Sequence, residues 1–289
     1  MIVVKLQGGL GNQMFQYALG KAMAKLHHSA LALDLDFLLD RDFQSDTFTF
    51  RAYDLDVLSV EARVAAKGIK LKYESQSLTD KIRSGFRSKH IYKERFFHYD
   101  DKVMNQQPDV YLEGYWQSMK YFQNVEQDLR SDFKFRHALI ENSQALYARI
   151  KATDSICVNI RRDDFLTNAY HGVCGMDYFT PAIQHMKKEL SNPHLFVFTD
   201  DHQWCADHFK SDIPMDIVGV EHNGIKFSNK LQLMTCCKHF IIPNSTYAWW
   251  AVWLSNNKNA IVIAPQNWFA DSSIDTSDLI PTHWLRFKN

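Results

Sequence analysis

Asn159-Ile160-Arg161-Arg162-Asp163-Asp164-Phe165 sets two arginines and two aspartates in succession, directly after an apolar run. Arginine suits a diphosphate, because its planar fork donates to two oxygens at once and it keeps its proton. The aspartates could hold the guanidiniums in place, bind a ribose or a base edge, or accept a proton. The same residues also fit a surface ion-pair cluster with no ligand.

Three further segments have the residue types for ligand chemistry. Phe196-Val197-Phe198-Thr199-Asp200-Asp201 is an apolar run that ends in acids. Either aspartate could cap a helix, and a carboxylate there could also accept from the N1–H and N2–H₂ of guanine. In Ile241-Ile242-Pro243-Asn244-Ser245-Thr246-Tyr247-Ala248-Trp249-Trp250, Asn244 or Ser245 suits a helix N-cap. Hydroxyls and free backbone N–H groups at that point, including Thr246, would also receive an anion. Trp249, Trp250 and Trp253 have helical spacing and are expected in the core. Gln7-Gly8-Gly9-Leu10-Gly11-Asn12-Gln13 follows the first apolar run. Its glycines fit either a tight strand-to-helix turn or a loop whose backbone approaches a ligand. It is not a dinucleotide fingerprint, since Met14 stands where the third glycine would fall.

No metal site is expected. The 13 histidines form no H-x-x-x-H or H-E-x-x-H pair. Asp34-Leu35-Asp36 and Asp54-Leu55-Asp56 have D-x-D spacing but lie far along the chain from the arginines. Stabilisation of an anionic leaving group would then fall to Arg161, Arg162 and a helix N-terminus.

These segments need strands that end at the site and helices that start there. Strands are predicted at 2–6, 31–35, 110–113, 156–160, 195–199, 215–218, 240–242 and 260–264. Several lack polar alternation, the pattern of parallel strands buried on both faces. Helices are predicted at 12–27, 178–190, 202–209, 229–237 and 245–255. The alternation predicts a doubly wound α/β architecture, whose ligands bind at the carboxyl ends of strands. A polar segment at Glu141–Ser155 suggests two lobes, 1–150 and 151–289. Three of the four ligand-like segments lie in the second.

Composition narrows the class. The chain has 289 residues, 46% hydrophobic and 23% charged, enough for a full core without staples. Lys+Arg and Asp+Glu are both 33, and a net charge of zero argues against a nucleic-acid partner. Five cysteines with no C-x-x-C indicate reduced thiols. The N-terminus lacks the basic and apolar regions of a signal peptide, and no apolar run reaches the roughly 18 residues of a membrane span. A cytoplasmic protein is expected. Asp34–Asp56 carries seven Asp against two Arg, and Lys67–Arg95 nine Lys/Arg against three acids. The basic stretch fits a solvated face, or a surface for peripheral contact with anionic lipid at the inner face of the cell membrane.

Together the motifs resemble the bacterial α-1,2-fucosyltransferases of glycosyltransferase family 11. The resemblance rests on Gly8-Gly9-Leu10-Gly11-Asn12-Gln13-Met14-Phe15-Gln16-Tyr17-Ala18 and Glu113-Gly114-Tyr115-Trp116-Gln117-Ser118. It continues through Arg161-Arg162 with Asp164, Phe198-Thr199-Asp200-Asp201, Leu233-Met234-Thr235-Cys236-Cys237 and Asn244-Ser245-Thr246-Tyr247-Ala248-Trp249-Trp250. It implies a GT-B fold, two Rossmann-like lobes with parallel sheets facing a central cleft. It also implies GDP-β-L-fucose as donor, a galactoside-terminated oligosaccharide or lipid-linked glycan as acceptor, inversion, and no cofactor. By resemblance Arg161, with Arg162 beside it, binds the donor diphosphate. Asn159, Asp200, Asp201, Asn244, Ser245 and Thr246 complete the donor site. Gly9, Gly11, Asn12 and Gln13 lie on the acceptor side. Asp164 is the expected base, with Asp163 and Asp177 behind it. The chain departs from the family pattern at Asn159, Asp163 and Lys230. Transfer of another deoxysugar, another linkage, or a nucleotide- or glycan-binding protein without catalysis are the alternatives.

Overall fold

Val, Ile and Leu fill the short strands without polar alternation, so each strand must be covered on both faces, and parallel pairing follows. The computed structural model describes residues 1–40, 51–74, 89–162 and 172–289. The chain divides into two units, Met1–Lys134 with Asp275–Leu279, and Phe135–Ile274 with Ile280–Asn289.

The first unit holds β1 (Ile2–Lys5), helix α1 (Leu10–Leu26), β2 (Leu31–Asp34), β3 (Arg63–Val64), β4 (His90–Lys93) and β5 (Val110–Glu113). Its sheet runs in the order β3-β2-β1-β5-β4, with all described pairings parallel. Most of α1 is buried, and it lies close against the sheet because Gly20 has no side chain. A Cβ there would meet Val4 and Leu31 side chains at 2.7 Å.

The second unit starts with α2 (Gln144–Ala152) and β6 (Asp154–Ile160). It continues with α3 (Met176–Glu189), β7 (Pro193–Thr199), α4 (His202–His208), β8 (Met215–Val218) and α5 (Ser228–Thr235). β9 (His239–Ile241), α6 (Thr246–Ser255), β10 (Val262–Pro265) and β11 (Leu285–Phe287) complete it. The sheet order is β11-β10-β9-β6-β7-β8, again parallel throughout. Ile156, Val158, Leu195, Val197, Ile241 and Ile263 form one core with Tyr178, Phe179, Ala182 and Met186 of α3. Trp249 and Trp250 are fully buried, as expected, whereas Trp253, expected in the core with them, is half-buried.

The eight predicted strands and five predicted helices all form. β3, β4 and β11 were not predicted; they are sheet edges of two to four residues, partly exposed and without an apolar run. The division between units falls at Lys134/Phe135 rather than at 150/151. The reason is packing: α2 buries Leu146 and Ile150 and lies on β6, so the polar segment belongs to the second unit.

Candidate active site

β6 and β7 pair in parallel with Ile160 opposite Thr199, so both apolar runs end at one level and their next residues emerge side by side. Arg161 and Arg162 thereby meet Asp200 and Asp201. An Arg161 Nη lies 2.8 Å from an Asp200 carboxylate oxygen. The other Asp200 oxygen accepts the Arg162 backbone N–H at 2.9 Å. Arg162 Nε donates to Asp201 at 3.2 Å, and its guanidinium lies 4.2 Å from the centre of the Trp204 ring. Asp201 also caps α4, accepting from Trp204 N at 2.9 Å.

The predicted cap therefore falls to Asp201, while Asp200 holds Arg161, a use the sequence did not suggest for it. Asn159 is buried and donates from Nδ2 to the Phe198 carbonyl at 3.0 Å, tying β6 to β7. Asp163 and Asp164 lie outside the described residues. Asp177 stands exposed in the first turn of α3.

β9, the other neighbour of β6, delivers the third segment. The Tyr178 hydroxyl donates to the Ile242 carbonyl at 2.6 Å and fixes the chain just past the strand. Asn244 is buried and donates to the Trp268 carbonyl at 3.0 Å. Ser245 occupies the N-cap position of α6, but its side chain makes no capping hydrogen bond. Backbone N–H groups at a helix start are an arrangement that receives anions.

Lys230, on α5, reaches the same strand ends. It is only 7% exposed, and its ammonium donates to the Thr199 carbonyl. Burial lowers its pKa to about 8, against the pull of Asp200. The sequence marked Lys230 only as a departure from the family pattern and did not place it at these strand ends.

In the first unit the glycine loop follows β1. Gly8 has a left-handed backbone with φ of 75°, where a Cβ would press on Asn12 at 2.4 Å. Gln13 is fully buried. It donates to the Gly8 and Ala52 carbonyls at 2.9 and 2.8 Å and accepts from Asp54 N at 2.8 Å. Gln16 likewise bonds Gln7 and Gly114. Gly11 is buried in α1, while Gly9 and Asn12 are half-buried. Gln13 and Gly11 are enclosed and shape the loop from inside. Asn12 accepts from Gln117 Nε2 at 3.0 Å, joining this loop to the one after β5.

Glu94, just past β4, holds that second loop. Its carboxylate accepts from Tyr115 N and Trp116 N at 2.6 and 2.8 Å. Burial pushes its pKa up to about 7 although both backbone bonds pull it down. The acid sits inside a basic stretch and was not predicted to matter.

Residues 1–287 match the sequence profile of glycosyl transferase family 11. The chain belongs to this family. Within it, an alpha-1,2-colitosyltransferase of Escherichia coli is 30% identical, covering 100% of this chain and 99% of its own. The O-antigen biosynthesis glycosyltransferase WbnK of Escherichia coli is 28% identical over 97% and 98%. A galactoside alpha-(1,2)-fucosyltransferase 1 of Leontocebus fuscicollis is 25% identical over 51% of this chain and 44% of its own. Among solved structures, POFUT1 in complex with GDP-fucose superposes with a TM-score of 0.51 at 13% identity, over 90% of this chain and 97% of that one. The two parallel-sheet units are those of a GT-B glycosyltransferase.

In this family 11 chain the D-x-D at Asp34-Leu35-Asp36 is spent internally. Asp34 is buried and accepts from the Tyr111 hydroxyl at 2.7 Å, and Asp36 accepts from Gly68 N at 2.7 Å. Among the described residues no three His, Cys, Asp or Glu side chains converge as a metal site. In the described part of the basic stretch, Lys70 pairs with Glu113 at 3.2 Å and Arg95 with Asp100 at 2.8 Å. Among the described residues no helix is long and apolar enough to cross a membrane.

Proposed function

We propose that the chain transfers a 6-deoxyhexose from a GDP-sugar to the 2-hydroxyl of a terminal galactoside, with inversion, during O-antigen synthesis. The observation that carries this reading is the Arg161–Asp200 and Arg162–Asp201 cluster at adjoining strand ends. It supplies fixed cationic forks for a departing diphosphate, beside a helix start whose Ser245 side chain does not cap it. Bond cleavage to the anomeric carbon builds positive charge on the sugar and negative charge on GDP. Donors already in place stabilise the second without reorganising. The second unit binds the donor in this reading, and the first unit's glycine loop serves the acceptor. Asp164 remains the proposed base.

L-Fucose is the first choice of sugar, supported by the motif resemblance and the galactoside fucosyltransferase relative. Colitose, its 3-deoxy counterpart, is the second, favoured by the 30% identity that extends over the whole chain. Incubation of GDP-fucose and GDP-colitose with a panel of galactosides, followed by linkage analysis of the products, tests both. An α-1,2-linked product is expected. A thermal shift with GDP and no product from any GDP-sugar would make the chain a nucleotide-binding protein instead.

A further inference from the structure

Lys230 is costly where it stands. Its side chain is 7% exposed, and a buried ammonium loses most of its hydration. A methionine would fill the same space without that cost. A neutral amide could satisfy the Thr199 carbonyl, so the hydrogen bond alone does not account for a charge.

The placement is fixed by the neighbouring residue. Asn229 is buried and donates to Ser143 Oγ and to the His222 carbonyl, both at 2.8 Å. It also accepts from Ile140 N at 3.0 Å. These bonds lock the first turn of α5 and aim the next side chain at the end of β7.

An ammonium has three donors. The Thr199 carbonyl takes one, and no carboxylate of the described residues lies within ion-pair distance of the Lys230 nitrogen. The arginines of the cluster differ, since each is paired with an aspartate. Lys230 thus brings to the cluster a cation with which no described aspartate pairs.

We propose that Lys230 supplies the strand-end cluster with a positive charge that no described aspartate takes up, and thereby raises its affinity for a nucleoside diphosphate. The inference rests on the reading of this cluster as the donor site. It goes further in naming an element outside the two arginine pairs as the source of the attraction.

The groups around the ammonium give the assignment a pH signature. Asp200, Cys205 and Cys157 favour its charged form, while burial and Arg161 oppose it, leaving its pKa at about 8. An incoming diphosphate raises that pKa, so binding at about pH 8 takes up a proton, and affinity falls as pH rises through this range.

Calorimetry of the whole chain with GDP and with guanosine, in buffers of different ionisation enthalpy, tests this on wild type, Lys230→Met and Lys230→Arg. We expect Lys230→Met to weaken GDP about tenfold and guanosine by less than about twofold, Lys230→Arg to recover most of the loss, and proton uptake in wild type alone. Wild-type GDP affinity in Lys230→Met, or equal losses for GDP and guanosine, overturns the inference and leaves a packing role. If Lys230→Met does not fold, wild-type proton uptake decides: its absence at about pH 8 has the same force. A wild type that binds GDP no better than guanosine removes the donor-site reading itself, and this inference with it.

Discussion

The Arg161 guanidinium and the Asp200 carboxylate meet at 2.8 Å across the ends of two adjacent parallel strands. The two side chains are 27% and 15% exposed, so the pair is enclosed but reachable. A carboxylate that holds a guanidinium fixes its rotamer before a ligand arrives. The fork is then rigid when charge develops on a leaving group, the condition under which a donor stabilises a transition state most. In the proposed donor site, bracing and catalysis would be successive consequences of one contact.

Arg161→Ala is expected to lower kcat/KM by about 3–4 kcal/mol, on the order of a hundredfold to a thousandfold. Arg161→Lys keeps the charge without the fork and falls nearly as far. Melting temperature should drop only modestly, since Asp200 retains the Arg162 backbone N–H. Asp200→Asn should cost about tenfold, and the Arg161→Ala/Asp200→Asn double variant should resemble Arg161→Ala alone, because the two act as a unit. Both quantities are measured on one preparation. A folded Arg161→Ala with turnover within about threefold of wild type would end the catalytic assignment.

The glycine loop offers a matched pair of substitutions. Gly8→Ala places a Cβ 2.4 Å from the Asn12 side chain at a φ of 75°, so stability should fall by about 1–3 kcal/mol. Gly9→Ala adds a methyl that meets nothing within 4 Å on an extended backbone, so melting should be unchanged. If the loop serves the acceptor, Gly9→Ala raises acceptor KM and leaves GDP affinity alone. Acceptor KM equal to wild type would remove the loop from the acceptor site.

Arg161, Arg162, Asp200 and Asp201 were legible because apolar runs stop abruptly in charge. Their partners were not. Parallel register brings in carboxylates such as Asp201, 39 residues from Arg162. Adjacency along the chain carries no information about register. Gln13 and Lys230 show the complementary failure. A polar side chain reads as solvent- or ligand-facing, and only packing shows that these two are enclosed.

Turnover is expected to persist in excess EDTA. The motive is positive: in the proposed donor site two arginines, Lys230 and the start of α6 would supply the donors for the diphosphate. Complete loss of activity, restored by Mg²⁺ or Mn²⁺, would show that these groups do not suffice.

Glu94 makes stability depend on pH in an unusual sense. Most native carboxylates are held below their unfolded pKa, so their contribution is lost in acid. Burial instead raises Glu94 from 4.5 to about 7, so the folded state binds its proton more tightly than the unfolded state does. Its contribution is complete below the unfolded value and disappears as pH rises through about 7, a loss of roughly 3 kcal/mol across that window. Glu94→Gln removes the titration and leaves one of the Tyr115 and Trp116 N–H groups without its oxygen, a cost that does not vary with pH. Wild type should therefore be the more stable protein at about pH 5, and its advantage should shrink or reverse by about pH 8. Urea midpoints of the two proteins at matched pH measure the difference, in which other titrating groups cancel. A difference that stays flat across the window would mean that Glu94 titrates like an ordinary surface acid, and that the loop it holds is open to water.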